Sequence, residues 1–238
     1  MKNAIILCSG GLDSATTSYY AKKTLNYQNI IILFFNYQQR TITKEREASQ
    51  KIAKQLGAEF KEINLKELST ISTSLINSKE QVKQVRRKDL KDTKEESDKY
   101  YVPCRNTIFL TYALALSESL QLKNKGTWDI LTGFKSEGKE TYPDTTKEFI
   151  EEMNKLRKTS TSVEGEIKAP LIDKDKDEII TLAQKLGVKL EDTYSCYAND
   201  KMHCGVCLAC RLRQEAFYWA NIPDKTKYKV KMKDYRKA

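Results

Sequence analysis

The sequence predicts an α/β protein: a parallel sheet with helices on both faces, followed by a four-cysteine segment near the C-terminus. Three observations predict it. Short apolar runs alternate with amphipathic stretches of helical length through the first 190 residues. A glycine turn, Ser9-Gly10-Gly11-Leu12-Asp13-Ser14, stands where a first strand passes into a first helix. Four of the six cysteines, Cys196, Cys204, Cys207 and Cys210, fall within fifteen residues.

Taken in order, Ala4-Ile5-Ile6-Leu7-Cys8 reads as a buried strand, with residues 12–25 following as a helix. The run IIILFFN (30–36) is a second strand. Residues 43–57 set Ile52, Ala53 and Leu56 at helical spacing, with Gly57 as the stop. AEFKEINL (58–65) alternates as a third strand. NTIFLTYALALSESLQL (106–122) is apolar and long enough for a buried helix, WDILTGF (128–134) is a fourth strand, and IKAPLID (167–173) is a fifth. Residues 77–100 carry both charge signs and few large apolar side chains, so a mobile loop or an exposed helix is expected there, with a lid over a site as its functional reading.

The chain of 238 residues is 39% hydrophobic and 31% charged, ordinary for a globular protein. No apolar run approaches the roughly 20 residues of a membrane span, and Met1-Lys2-Asn3 enters a strand directly, so a cytoplasmic protein is expected. The net charge of +10 raises nucleic acid as a partner. Residues 225–238 hold seven Lys/Arg and one acid, Asp234, and so supply +6 of it. Within them KTKYKVKMK alternates as a lysine-edged strand would, which makes nucleic acid the weaker reading.

The glycine turn places Cys8, Ser9, Gly10, Gly11, Leu12, Asp13 and Ser14 at a helix N-terminus, where unpaired N–H groups and the positive end of the dipole favour an anion. Adjacent glycines allow close backbone approach to phosphate oxygens, and no lysine stands where a Walker loop has one. Asp13 would repel phosphate, so it is expected to cap the helix or to help place a metal ion. A plain glycine turn with a serine cap is the competing reading. Further on, Asp175 stands three residues before Glu178, the spacing of a capping box, which puts Lys176 in the first turn of a helix. A cation is unfavourable there unless an anion lies beside it.

Cys196, Cys204, Cys207 and Cys210, with two overlapping C-x-x-C steps, point to a metal rather than to disulfides. Structural zinc, one ion per chain, suits four thiolates; an iron–sulfur cluster, redox cysteines and replacement of one ligand by His203 are the alternatives. Cys104 has no histidine base to support a nucleophilic role.

The string SGGLDS resembles the signature of the PP-loop, or N-type, ATP pyrophosphatases. That resemblance implies a Rossmann-like, adenine nucleotide alpha hydrolase-like fold that splits ATP between its α and β phosphates, and a lysine at the place of Lys176 that contacts the phosphates. With FNYQQRTITKE, YVPCRNTIFL, YPDTTKEF, PLIDKDKDEII and TYSCY followed by CGVCLACRLRQEAF, the chain outside residues 66–99 resembles the QueC-type 7-cyano-7-deazaguanine synthase family of that superfamily. The implied division is a PP-loop domain over 1–190, with the charged insert 77–100, and a zinc-binding segment over 191–238 packed on it as one unit.

The resemblance further implies ATP with Mg²⁺, 7-carboxy-7-deazaguanine and ammonia as reactants, adenylated intermediates, a nitrile product and a homodimer. Arg40 is then an ATP ligand. Ser14, Asp13, Lys176, Arg105 and Asp144 are the candidate catalytic residues, with a guanidinium for phosphate or carboxylate, Asn106 for a base edge or the backbone, and Asp144 for the deazaguanine or a metal. The stretch GFKSEGKETYPDTT (133–146) departs from the family pattern, which has Asn, Asp and Ser before Y-P-D and Cys-Arg after it; here Gly138, Lys139 and Glu140 precede it and Thr145-Thr146 follow. QueC-like enzymes of antiviral gene clusters, which join an activated deazaguanine to another amine or a protein, are therefore the alternative. A PP-loop tRNA-modifying or sulfur-transfer enzyme and a nucleic-acid-binding zinc module are the more distant rivals.

Overall fold

Five parallel strands are laid out in the order β3-β2-β1-β4-β5. The computed structural model describes residues 1–135, 142–198 and 202–231. The strands are β1 Asn3–Leu7, β2 Asn29–Asn36, β3 Glu59–Asn64, β4 Trp128–Leu131 and β5 Ile167–Lys168. The helices are α1 Leu12–Lys23, α2 Ile42–Leu56, α3 Leu68–Ile71, α4 Lys94–Asp98, α5 Arg105–Leu122, α6 Lys147–Ser160, α7 Lys176–Lys185 and α8 Leu208–Trp219.

Side-chain alternation along the strands divides the core. Ala4, Ile6, Ile30 and Ile32 join α1, α2, α7 and α8 on one face, where Ile52, Ala53, Ile179 and Phe217 are buried. Ile5, Ile31, Leu33 and Ile130 join α5 and α6 on the other, with Leu110, Leu114 and Met153. Both faces are covered, which is why β1 and β2 read as unbroken apolar runs. Helix α1 fits tightly despite its polar sequence, because the buried Thr16, Thr17 and Ser18 return their hydroxyls to the carbonyls of Leu12, Asp13 and Ser14.

The chain runs β1, β2, β3 toward one edge and then crosses to the far side of β1 to form β4. The carboxyl ends of β1 and β4 therefore flank a topological switch point, where open parallel sheets bind ligands. Register pairs Ile6 with Leu131 at that end.

Three expectations change. The fourth and fifth strands are shorter than their apolar runs: β4 stops before Gly133, and β5 stops before Pro170, which has no N–H for a ladder bond. No strand forms within residues 225–231; Lys229 and Val230 donate their N–H groups to the carbonyls of His203 and Cys204, and the tail hooks onto the cysteine segment. The rest of the lysine-rich run, 232–238, lies outside the described residues.

The insert carries α4 and a 3₁₀ turn over Arg87–Lys91, and it is docked. Its anchor is the buried Val85, whose N–H and carbonyl pair with Val206 O and Arg211 Nε at 2.7 and 2.9 Å. Arg87 adds an ion pair to Glu215 at 2.8 Å. These partners come from the C-terminal segment, so the composition of the insert alone does not display them.

Candidate functional site

Gly10 has φ +77°, and a Cβ there would meet Ala48 Cβ at 2.6 Å and the Glu45 carbonyl at 2.7 Å. Glycine is thus demanded twice, by conformation and by the approach of α2. Gly11 then takes the N-cap position of α1 with extended backbone and no side-chain cap. The N–H groups of the first turn consequently have no partner within the helix. Gly133, at the end of β4, presses from the other side: a Cβ there would stand 2.8 Å from Ser14 N. Ser14 is buried, with its hydroxyl on the Gly11 carbonyl at 3.2 Å and Cys8 Sγ 3.6 Å away. Burial pushes the Cys8 thiol up, so it stays neutral.

Asp13 does not cap α1. Its carboxylate meets Lys176 Nζ at 3.2 Å, across 163 positions of sequence, while its second oxygen, Oδ1, is buried with no partner. Lys176 stands in the first turn of α7, where the predicted capping box is present: Asp175 N donates to Glu178 Oε2 at 2.8 Å, and the Asp175 side chain accepts from the third residue of the helix. The anion that makes a cation tolerable at this helix start is thus Asp13 itself.

The loop, Lys176 and the end of β4 border one cavity of about 700 Å³, within the range of small-molecule sites. Cys8, Ser9, Gly11, Leu12, Asp13, Ser14, Arg105, Asn106 and Lys176 line it, and sequence reasoning had singled out all of these. It missed Gln39, Glu45, Thr132 and Gly133 and the aromatic wall of Phe35, Tyr37, Phe109 and Phe134. Phe35 and Phe109 stack at 4.0 Å, and the Arg105 guanidinium lies over Tyr37 at 5.9 Å, with Nη1 3.4 Å from its hydroxyl. The insert contributes Ser97 and Tyr100 to the same lining, and Ile76 stands just before it.

Two candidates are employed elsewhere. Arg40 does not line the cavity; its Nη1 donates to the carbonyl of Glu80 in the insert at 2.8 Å. Asp144 is buried and turned to α5, whose first turn it holds: Asn106 N donates to Asp144 Oδ2, and Asn106 Nδ2 donates to the Asp144 carbonyl, both at 3.1 Å. That bond serves a helix that begins at Cys104 in left-handed conformation, φ +54°. Gly138, Lys139 and Glu140 of the atypical stretch lie outside the described residues.

The four cysteines converge. Their sulfurs lie within 4.8 Å of one another and all four residues are buried. A tetrahedral zinc with bonds of about 2.3 Å separates its sulfurs by about 3.8 Å; Cys204 and Cys210 are 3.9 Å apart. Backbone N–H groups of Ala198 and Cys204 point at Cys196 Sγ, and those of Val206 and Cys207 at Cys204 Sγ, all at 3.3–3.4 Å. This donor set fits a metal held by thiolates. His203 is outside it: its Nε2 accepts from Ser195 N at 3.2 Å, and burial with the nearby Arg213 charge lowers its pKa to about 4. The cluster starts α8, and the buried Arg213 of that helix binds Thr193, Thr226 and the Leu190 carbonyl, tying the segment together.

An uncapped glycine turn at a parallel-sheet switch point and a four-thiolate knuckle are now together on one chain. A family profile described as "Queuosine biosynthesis protein QueC" matches residues 3–221. The chain belongs to the QueC family. Among its relatives, the 7-cyano-7-deazaguanine synthase of Methanobrevibacter smithii is 36% identical over 231 residues, covering 95% of this chain and 98% of the relative. That of a Nitratiruptor species is 40% identical over 230 residues, covering 95% and 98%. Among solved structures, an NMN synthetase from Francisella tularensis matches 94% of this chain and 79% of its own at 13% identity and a TM-score of 0.39, too slight a likeness to argue from. No helix among the described residues is long and apolar enough to cross a membrane.

Proposed function

We propose that this QueC-family protein is a 7-cyano-7-deazaguanine synthase, converting 7-carboxy-7-deazaguanine and ammonia to the nitrile with release of AMP and pyrophosphate. The observation that carries the reading is the convergence of the glycine loop, Lys176 and Arg105 on one cavity in a chain whose named relatives have that activity. The substrate carboxylate attacks the α-phosphorus of ATP, and pyrophosphate departs. Ammonia displaces AMP to give the amide. The amide oxygen is adenylated by a second ATP, and loss of AMP with a proton leaves the nitrile.

The chain's own groups position and neutralise. The N–H groups of the Ser9–Ser14 turn and the α1 dipole receive the departing pyrophosphate, and Lys176 adds a cation to it. Arg105 faces the carboxylate or the α-phosphate, since its fork suits either anion. The buried, unpartnered Asp13 Oδ1 fits a ligand to Mg²⁺, which would neutralise phosphate charge when bound with ATP. Zinc on Cys196, Cys204, Cys207 and Cys210 is a structural staple with no open position. Arg40, which binds the insert, has at most an indirect role in the ATP site, and Asp144 acts by holding α5. A homodimer in the cytoplasm, using free ammonia, completes the reading.

The test incubates the protein with ATP, Mg²⁺, an ammonium salt and 7-carboxy-7-deazaguanine. Nitrile with AMP and pyrophosphate is expected. ADP as product overturns the loop assignment, and a stalled amide or adenylate transfers the chain to the amine- or protein-conjugating branch.

A further inference from the structure

Several acids line the cavity, and their partners distinguish them. Asp13 is paired with Lys176 and Glu215 with Arg87, while Asp175 and Asp177 stand in the exposed entry to α7. Glu45, at the first turn of α2, makes no ion pair among the described residues. It is instead held by neutral donors. Thr41 Oγ1 donates to Glu45 Oε1 at 2.5 Å, and Gln39 Nε2 donates to Oε2 at 3.0 Å. Gln39 is itself locked, accepting from Tyr37 N and donating to the Phe35 carbonyl, each at 3.0 Å.

A carboxylate offers about four lone-pair sites. Two are used here, one on each oxygen, which leaves acceptor capacity on both oxygens of a carboxylate held in place by Thr41 and Gln39. Its complement is a planar ligand edge with two adjacent N–H donors. The ring of a 7-deazaguanine has that edge, in N1–H and the exocyclic amino group. Adenine does not, because its corresponding edge pairs one donor with an acceptor. The same cavity is lined by the Phe35–Phe109 stack with Tyr37, suited to a flat ring, and Gln39 links Glu45 to this stretch through the Phe35 carbonyl.

We propose that Glu45 is the residue that reads the N1–H and amino edge of the deazaguanine ring, with Gln39 and Thr41 as its positioning residues. The assignment rests on the synthase reading above and identifies the part of the cavity that holds the acceptor ring rather than ATP.

The experiment compares wild type and Glu45→Gln against 7-carboxy-7-deazaguanine and its analogue lacking the 2-amino group. Charged hydrogen bonds contribute about 1.5–3 kcal/mol, so about a 10- to 150-fold difference is expected between the two rings in wild type. The variant is expected to lose most of that preference while its affinity for a non-hydrolysable ATP analogue is unchanged. A residue that only shaped the loop would move both rings equally and would disturb the nucleotide. Preference retained in Glu45→Gln, or absent in wild type, overturns the assignment. Titration calorimetry with each ring and no ATP reads this even when turnover fails, so loss of nitrile formation in wild type counts against the synthase reading and not against Glu45. Circular dichroism of the variant confirms that it is folded, and Glu45→Asp supplies a second variant that keeps the charge but withdraws it by one methylene.

Discussion

The glycine loop and the cysteine knuckle are the same kind of object put to opposite uses. Each is a tight turn that delivers the chain into a helix, α1 through Gly11 and α8 through Cys207. In the knuckle, the backbone N–H groups of Ala198, Cys204, Val206 and Cys207 turn inward onto sulfurs of the chain itself. In the loop, packing from beneath by Ala48, Glu45 and Gly133 holds the turn in shape, and the helix start is left uncapped. A turn that satisfies its own donors becomes a staple, and one that is braced by van der Waals contact keeps its donors for a ligand.

Breaking the knuckle is expected to have the largest effect on stability. Cys204→Ser removes a sulfur that accepts two N–H groups and faces Cys210. Bound metal measured by plasma emission should fall below half an ion per chain, and the thermal midpoint should drop by roughly 10 °C or more, since metal binding of this type is folding energy. Prolonged chelation of wild type should reproduce the drop.

Breaking the loop should instead remove activity first. Gly10→Ala forces a methyl into Ala48 and the α2 backbone at a positive φ. Turnover to AMP is expected to fall at least 100-fold, with bound metal unchanged. Retained activity would remove the bracing argument. Lys176→Gln sharpens the comparison, because it deletes a cation and no packing. Loss of one stabilising donor predicts a roughly 10²–10³-fold lower kcat, while the partly buried pair with Asp13 contributes about 1 kcal/mol to folding, so the midpoint should fall by only a few degrees.

The smallest effect concerns Glu45. Burial raises its carboxyl pKa above the ordinary glutamate range, against hydrogen bonds from Thr41 and Gln39 and the Arg105 charge, which lower it. The fold thus prefers the neutral acid, and this stability is present at low pH and lost as pH rises through the folded pKa. Glu45→Gln should have an equal or slightly higher midpoint than wild type at pH 7–8, with the difference vanishing near pH 4. Ring affinity of wild type should fall on acidification at a higher pH than an exposed glutamate would give.

What was legible in the residues was local. The strand runs, Gly57 as a helix stop with φ +61°, the Asp175–Glu178 box, the glycine turn and the C-x-x-C steps depend on spacings of a few positions, and backbone sterics and periodicity settle those. Partnership across the chain was not legible. Arg40 and Arg105 are equally basic on paper, yet only Arg105 faces the cavity, because the insert captures Arg40 through Glu80 O. Asp144 reads as a ligand residue, but Asn106 in the first turn of α5, 38 positions away, claims it as a hydrogen-bond partner. Docking of a polar insert by Val206 and Arg211, and the meeting of Asp13 with Lys176, likewise join residues more than a hundred positions apart, which only the folded chain brings together. The sequence by itself determined the sheet, the glycine turn and the sulfur cluster. Only the tertiary structure decided which charges share a cavity, because Coulomb and hydrogen-bond energies depend on distance in space, and distance along the chain does not report it.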